Sequence, residues 1–364
     1  MPDVVVAGAG MAGLAAAAEA RRLGATALVL EKLRRPGGSM LLSSGVIWRH
    51  RDLGTFRAEC PDGDERLQRL LFERLDEDLR WLESLGAPVV ERDTGNPVTT
   101  GTRFDPAGMT EALVEAAGGL RGIAGASGTV QLDDPLGEAR ASVPLILSTG
   151  GFAASRDLLR AHVSREADHA FLRAAPGSTG DGLRIGLEAG GRTSAGLDQV
   201  YARAMPAPPA RIGERDLVRL AQLYARYAQV NNERAERYEP RTWSEIDVAQ
   251  WQLVQPRARA WFTVAAERLG ERVRARTVAE MIDAAEAAGA PVRRSEEDVT
   301  VETVAGVTTT LGGLAIDEHA RVADNVFACG ADAGGIATGG YASGLAAALV
   351  FGRIAARAAL GESP

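Results

Sequence analysis

A chain that opens with a complete βαβ unit has few folds available to it. Val4-Val5-Val6-Ala7 is a short apolar run, followed at once by Gly8-Ala9-Gly10-Met11-Ala12-Gly13. An Ala-rich stretch runs from Leu14 to Leu23, then come Gly24, a second apolar run from Ala27 to Leu30, and Glu31-Lys32. Strand, glycine turn, helix, turn, strand and acid, in that order, make a dinucleotide-binding unit. Gly8 permits the sharp exit from the strand, Gly10 lets the backbone approach a pyrophosphate, and Gly13 lets helix and strand pack closely. The phosphates would sit on the free N–H groups and positive dipole end of the helix that begins at Met11 and Ala12. Glu31 would accept hydrogen bonds from ribose hydroxyls, and a 2′-phosphate there would meet like charge. A bare GxGxxG says little in a chain with 42 glycines among 364 residues. Its setting between two strands and before an acid says much more. NAD and FAD both remain open on this stretch alone.

Length and charge narrow the partners. A chain of this length normally divides into two domains. The net charge of −7, with no basic tract, argues against nucleic acid and anionic membranes. Cys60 and Cys329 give neither a disulfide framework nor a metal-ligand spacing, which fits a reducing cytoplasm. Met1-Pro2-Asp3 lacks the basic start of a signal peptide. No stretch approaches the roughly twenty apolar residues that span a bilayer. The expected location is cytoplasmic.

Residues 33–48 read Leu-Arg-Arg-Pro-Gly-Gly-Ser-Met-Leu-Leu-Ser-Ser-Gly-Val-Ile-Trp. A dinucleotide unit ending in Glu31-Lys32, then Gly37-Gly38-Ser39, then Ser43-Ser44-Gly45, resembles the FAD-binding flavoproteins of the fumarate reductase and succinate dehydrogenase type. That superfamily also holds the 3-ketosteroid dehydrogenases and tricarballylate dehydrogenase. The resemblance implies an α/β, Rossmann-like FAD-binding domain of the glutathione-reductase type with an inserted α+β capping domain. It implies FAD contacts from the small residues and hydroxyls of this loop, and such residues suit a bulky cofactor with many acceptors. Members that attach flavin covalently carry a histidine here. In this chain Met40 follows Ser39, so the expected FAD is non-covalent.

Further segments follow the same pattern. Residues 64–86 carry Leu67, Leu70, Leu71, Leu75, Leu79 and Leu82 at three-to-four spacing, an amphipathic helix stopped at Gly86. Asp105-Pro106 reads as the cap and first position of another helix reaching Ala117. Both are scaffold. Arg49-His50-Arg51 reads as a solvated turn, with a substrate-facing role as the minor option. The strand Val143 to Leu147 runs into Ser148-Thr149-Gly150-Gly151-Phe152, which resembles the segment that closes the nucleotide domain near the adenosine of FAD. Thr179-Gly180-Asp181-Gly182 resembles a further FAD-contacting element, with Asp181 at a helix start.

Residues 193–300 change character, with Pro206, Pro208 and Pro209 and then helical patterns at 213–230 and 277–288. The resemblance makes this interval the capping, substrate domain, with 1–192 and 301–364 forming the FAD domain. Residues 230–238 resemble a degraded form of the family stretch that precedes the proton-delivering arginine of fumarate reductases. Arg241 is the best candidate by position and Arg237 the second, while a charged surface remains the alternative for either.

At the C-terminal end, Thr308 to Asp317 resembles the return from cap to FAD domain. Val326 to Gly335 is a strand leading to a glycine turn, in which Gly330 and Asp332 are expected at the cofactor; the family's acid at this turn is displaced to Asp332. Gly339-Gly340-Tyr341-Ala342-Ser343-Gly344-Leu345 then opens an Ala-rich helix ending near Leu360. In the family this helix points its N-terminus at the flavin pyrimidine, with Ser343, Gly344 and Leu345 amides as donors, where charge develops near N1 on reduction. Thr310 stands where fumarate reductases have a histidine before paired glycines, and Gly339-Gly340-Tyr341 stands where they have a carboxylate-binding arginine. A fumarate-like diacid is therefore disfavoured, and the chain sits nearer the ketosteroid and tricarballylate dehydrogenases. Tyr341 resembles the tyrosines that polarise a carbonyl or take a proton in ketosteroid dehydrogenases, although a buried Tyr also finds partners for structural reasons. The expected function is hydride transfer between flavin N5 and a carbon adjacent to a carbonyl, on a small-molecule substrate, with an unidentified electron acceptor or donor. The alternatives are a flavoprotein oxidase or hydroxylase and a flavin-binding protein without its own turnover.

Overall fold

The computed structural model describes residues 1–119, 123–124, 143–240 and 246–362. They fall into two compact units, Met1–Ser155 with Ala175–Gln199 and Thr309–Pro364, and Arg156–Ala174 with Val200–Thr308.

The first unit is built on a parallel sheet. Strand β1 (Val4–Ala7) pairs in parallel with β2 (Ala27–Leu30), Val4 opposite Ala27 and Ala7 opposite Leu30. On its other side β1 pairs with β4 (Leu145–Leu147), which pairs in turn with β5 (Val326–Ala328). Ile123–Ala124 closes one edge in parallel and Arg321–Ala323 closes the other antiparallel. The runs VVVA, LIL and VFA are buried at every position. That is why they read as continuous apolar runs: a strand covered on both faces has no polar side to show. Strand β3 (Val46–His50) belongs to a separate antiparallel sheet with Thr99–Phe104 and Val89–Glu91.

Helix α1 (Met11–Arg22) follows the glycine turn. Helix α2 (Glu65–Ser84) is capped by the Asp64 carboxylate, which accepts from the Arg66 and Leu67 amides, and buries Leu67, Leu71, Leu75, Leu79 and Leu82. Helix α3 (Pro106–Ala116) has Asp105 as its cap, accepting from Gly108 N–H at 2.7 Å. Helix α4 (Asp181–Glu188) is short, and the final helix α5 (Gly344–Ala359) packs along α1. Gly352 seats against α1: a Cβ there would lie 2.5 Å from the Ala12 carbonyl oxygen.

The second unit is organised by the long strand Asp298–Thr310. Arg259–Ala265 runs antiparallel to it and pairs beyond with Gln229–Asn231, while Val292–Arg294 takes the opposite edge. Phe171–Leu172 joins in parallel at Gly306 and Val307, and Val200–Pro206 also pairs with the long strand. Residues 156–174, expected with the nucleotide-binding part, thus group with the insert. Its core gathers Tyr224, Val230, Phe262, Met281 and Ile282, with Tyr224 edge-on to Phe262 at 5.8 Å.

The expected α/β fold with a mixed α+β insertion holds. The pattern at 277–288 is the helix Val278–Ala287, started by a Thr277–Glu280 capping box. The pattern at 213–230 does not form a long helix. Only the short turns Glu214–Asp216 and Ala225–Tyr227 and the strand Gln229–Asn231 occur there. Leu217, Leu220, Ala221 and Tyr224 are all buried without helix, and Gln222 N–H bonds to the Ala204 carbonyl instead. Helix propensity is a weak preference that tertiary packing overrides.

Two buried carboxylates between α1, α2 and α5 titrate in opposite directions. Burial would raise Glu19, but hydrogen bonds from Arg22, Arg357 and Arg353 hold it down at about 2. Burial pushes Asp78 up to about 6, against the charge and hydrogen bond of Arg353. Between about 2 and 4.5 the unfolded chain binds the Glu19 proton more tightly, so this group's contribution is lost as pH falls through that window. Asp78 does the reverse. The folded state holds its proton more tightly, so stability from this group falls as pH rises from 3.8 through about 6. In denaturant unfolding across that window, Asp78→Asn is expected to gain on the wild type progressively with pH. A constant difference between the two would refute the opposed titration.

Candidate active site

The glycine turn is shaped by close contacts on two sides and by open space on the third. Gly8 has φ +109°, and a Cβ there would overlap the Ser148 carbonyl. A Cβ on Gly13 would overlap the Gly8 carbonyl and lie 2.6 Å from Ser148 Oγ. Gly10 differs. It has an ordinary φ of −81°, and its Cβ would meet nothing within 4 Å. Nothing in the fold of the chain requires glycine there. A ligand close to the backbone would. Gly10 is also the N-cap of α1 and makes no side-chain cap, so no side chain competes for the start of the helix at Met11 and Ala12.

The loop at 37–45 folds over this turn. Gly37 N–H donates to the Ala9 carbonyl at 2.7 Å, and a Cβ on Gly38 would stand 3.5 Å from Gly10 Cα. Ser39 Oγ accepts from Ala175 N–H at 2.9 Å. Ser43 Oγ donates to the Met40 carbonyl and accepts from Gly45 N–H, and the Ser44 carbonyl accepts from Arg103. Glu31 is buried at the end of β2, with one carboxylate oxygen accepting from Ala9 N–H at 2.7 Å and the other from Leu33 N–H at 2.8 Å. Lys32 reaches Thr179 Oγ1 and pairs with Asp181 at the start of α4.

Opposite, Asp332 is a buried anchor. Its carboxylate accepts from the Thr149 amide and hydroxyl and from Gly151 N–H, across the Thr149-Gly150-Gly151 turn. Burial pushes its pKa up against those three hydrogen bonds. Both carboxylate oxygens are engaged by that turn, and Thr149 Oγ1 in addition accepts from Gly182 N–H at 2.9 Å. Gly330 has φ +64° and lies against the first turn of α1, where its Cβ would come within 2.9 Å of Ala12 Cβ.

At the start of α5, Ser343 caps the helix by accepting from Ala346 N–H, leaving Gly344 exposed and Leu345 half-buried. Gly344 N–H meets the Tyr341 phenol oxygen at 3.4 Å. The Tyr341 ring stands edge-on to Trp48 of β3 with centroids 5.9 Å apart. Thr310 is buried, and its hydroxyl has no hydrogen-bond partner among the described residues. Two comparable groups are the Thr338 hydroxyl, which the sequence did not single out, and Nδ1 of His50, which it read as part of a solvated basic turn with a substrate-facing role as the minor option. His50 is no solvated turn: it ends β3 at 3% exposure, stacked on Phe56, and burial pushes its imidazole to about 4. Arg49 pairs with Asp76 and lies over the Phe72 ring. Unbroken polarity at 49–51 hid the strand. Arg237 belongs to the second unit, has an exposed side chain and pairs with Glu239. Arg241 lies outside the described residues.

These positions make a sharp distinction testable. Gly10→Ala is expected to leave unfolding of the ligand-free chain within about 0.5 kcal/mol of wild type and to weaken dinucleotide binding at least about tenfold. Gly13→Ala, which overlaps backbone, is expected to destabilise the chain by about 1–3 kcal/mol. Paired denaturant melts and cofactor titrations check both. Equal binding by Gly10→Ala would show that no ligand uses the open side of the turn.

A family model described as an FAD binding domain matches residues 3–114 and 98–345. No curated protein matches the chain significantly. Among solved structures, a flavocytochrome c3 fumarate reductase in an open conformation aligns at TM-score 0.68 and 21% identity, covering 99% of this chain and 78% of that one. The 3-ketosteroid-Δ4-(5α)-dehydrogenase of Rhodococcus jostii RHA1 aligns at TM-score 0.68 and 18% identity, with coverage of 99% and 96%. The 3-ketosteroid Δ1-dehydrogenase of Sterolibacterium denitrificans aligns at TM-score 0.69 and 15% identity, with 99% of each chain covered. At these identities the structural likenesses establish the fold. The loop that would carry a flavin-linking histidine offers buried Met40 instead. The chain thus belongs to the FAD binding domain family, and its cofactor is FAD, held without a covalent bond.

Proposed function

We propose that this chain is an FAD-dependent oxidoreductase that forms or saturates a C=C bond next to a carbonyl. When bound, FAD supplies the hydride acceptor or donor at its N5. The observation that carries the reading is the meeting of Tyr341 and Gly344 at the first turn of α5, 3.4 Å from phenol oxygen to amide nitrogen. A substrate carbonyl oxygen that displaces this contact would accept the Gly344 N–H in place of the phenol oxygen and would take a second hydrogen bond from the Tyr341 O–H. It would do so at the positive end of a helix of 16 residues. Charge that moves onto this oxygen as a proton leaves the neighbouring carbon would be stabilised by these two donors. The edge contact with Trp48 limits the directions in which the phenol can point.

With Tyr341 on the carbonyl, the proton at the neighbouring carbon is assigned to Arg241; Tyr341 takes that proton only in the alternative in which Gly344 N–H alone meets the carbonyl. Arg237, exposed and paired with Glu239, is left out. Thr310 offers a buried hydroxyl to whichever ligand reaches it. The second unit is taken as the substrate-side cap. The substrate is proposed to be a steroid-like or other ketone, in line with the absence of a histidine before Gly312-Gly313 and with Tyr341 in place of a carboxylate-binding arginine. A separate electron acceptor or donor completes the cycle. In keeping with a soluble enzyme, no helix among the described residues is long and apolar enough to cross a membrane.

Anaerobic mixing of the yellow holoprotein with enones and saturated ketones is expected to change the flavin absorbance with at least one class. Tyr341→Phe should lower that rate by about 100-fold or more while keeping full flavin content. Rapid reaction of reduced flavin with dioxygen and none with ketones would favour an oxidase or hydroxylase. Bound flavin inert to every candidate would favour a binding protein without turnover.

A further inference from the structure

Outside the proposed site, Arg353 on α5 is the most heavily bonded buried cation among the described residues of the first unit. Its side chain is 6% exposed. Its Nε and Nη2 both lie 3.1 Å from Glu19 Oε2 on α1, and its Nη1 donates to Asp78 on α2. The guanidinium carbon sits 4.4 Å from the centre of the Trp81 ring, also on α2. Glu19 is held further by Arg357 Nε at 2.6 Å and by Arg22 Nη2 at 2.8 Å. One fork therefore joins three helices.

The helix faces that meet here are poor at choosing a register. α1 reads MAGLAAAAEARR and α5 reads GLAAALVFGRIAARAA. Surfaces rich in alanine and glycine come close but present few ridges, and apolar burial has no direction. A guanidinium held by carboxylates on two different helices does have direction, and fixing register is the best-attested use of a buried ion pair. The residue before the fork, Gly352, seats on the Ala12 carbonyl in the first turn of α1. Ala12 against Gly352 and Glu19 against Arg357 show that the two helices run in the same direction. A rigid rod of about 13 Å, nine residues at 1.5 Å each, then connects Arg353 to Gly344.

We propose that Arg353 is a positioning residue for the dinucleotide: by clamping α5 to Glu19 and Asp78 it sets how far the N-terminus of α5 stands from the N-terminus of α1. The inference rests on the FAD reading given above. It assigns to Arg353 no contact with cofactor or substrate. A loosened clamp lets α5 shift, which weakens FAD and removes positive potential from the end of the cofactor that gains charge on reduction.

The test uses two variants. Arg353→Lys keeps a charge but loses the fork, and the double variant Arg353→Met with Asp78→Leu replaces one buried ion pair by apolar groups, leaving Glu19 with Arg22 and Arg357. Release of FAD from the diluted holoprotein is followed by flavin fluorescence, the flavin midpoint potential by dye equilibration, and unfolding of the stripped protein separately. FAD affinity is expected to fall at least tenfold in the double variant and less in Arg353→Lys, with the potential lowered in both. Unfolding should stay close to wild type. Unchanged affinity and potential in a folded variant would reduce Arg353 to a structural ion pair and overturn the proposal. If the double variant does not fold, Arg353→Lys decides by the same two readouts. A wild type that takes up no FAD would instead overturn the cofactor reading.

Discussion

The backbone of α5 can lie on the first turn of α1 only because no side chain stands between them. Gly352 meets the Ala12 carbonyl, and Gly330 approaches Ala12 Cβ from the strand-end turn. A methyl group at either glycine would push the three segments apart. This contact brings together parts of the chain more than three hundred residues apart in sequence, and the two helices run side by side in the same direction. Both N-termini carry positive partial charge, and like ends held near one another favour an anion between them. Gly344, at the start of α5, stands eight residues of helix, about 12 Å, before Gly352, the residue seated on Ala12. On the proposed reading one end would serve a diphosphate and the other a ring system that becomes negative when reduced. The alanine content of both helices follows from the approach, and the buried fork of Arg353 supplies the direction that alanine faces lack.

Much of this was legible because it is local. A strand-glycine-helix-strand unit, an Asp-Pro helix start and a leucine stripe of period 3.6 each declare themselves within a few residues, and each formed as read. The contacts of the same residues were less legible. Glu31 is placed by the ribose rule at the end of the second strand, yet its carboxylate folds under the turn onto Ala9 and Leu33 amides. Asp332 is placed near the cofactor by motif, while both its oxygens belong to the 149–151 turn. Two-residue strands such as Phe171–Leu172 have no period to detect, so their capture by the long strand Asp298–Thr310 is visible only in three dimensions. The segment 213–230 failed for the opposite reason. Its helical spacing of Leu217, Leu220, Ala221 and Tyr224 records burial, and burial can be met by an irregular path beside a sheet.

The distinction between residues that build the cradle and residues left for a ligand also explains how the fold persists at 21% identity and below. Ser39, Ser43, Glu31, Thr149 and Asp332 spend hydrogen bonds on the chain itself, shaping loops around the two helix starts. The groups open to a ligand are backbone: the bare side of Gly10 and the exposed Gly344 turn. A backbone amide is supplied by any residue whose geometry fits, so cofactor binding constrains glycine positions and helix ends more than side-chain identities. Substrate recognition has no such freedom. On the proposed reading it falls to the few side chains set at the helix start, where a phenol at Tyr341 would select a different chemistry from a guanidinium, because it can donate a hydrogen bond to a neutral carbonyl without demanding a carboxylate to balance its charge.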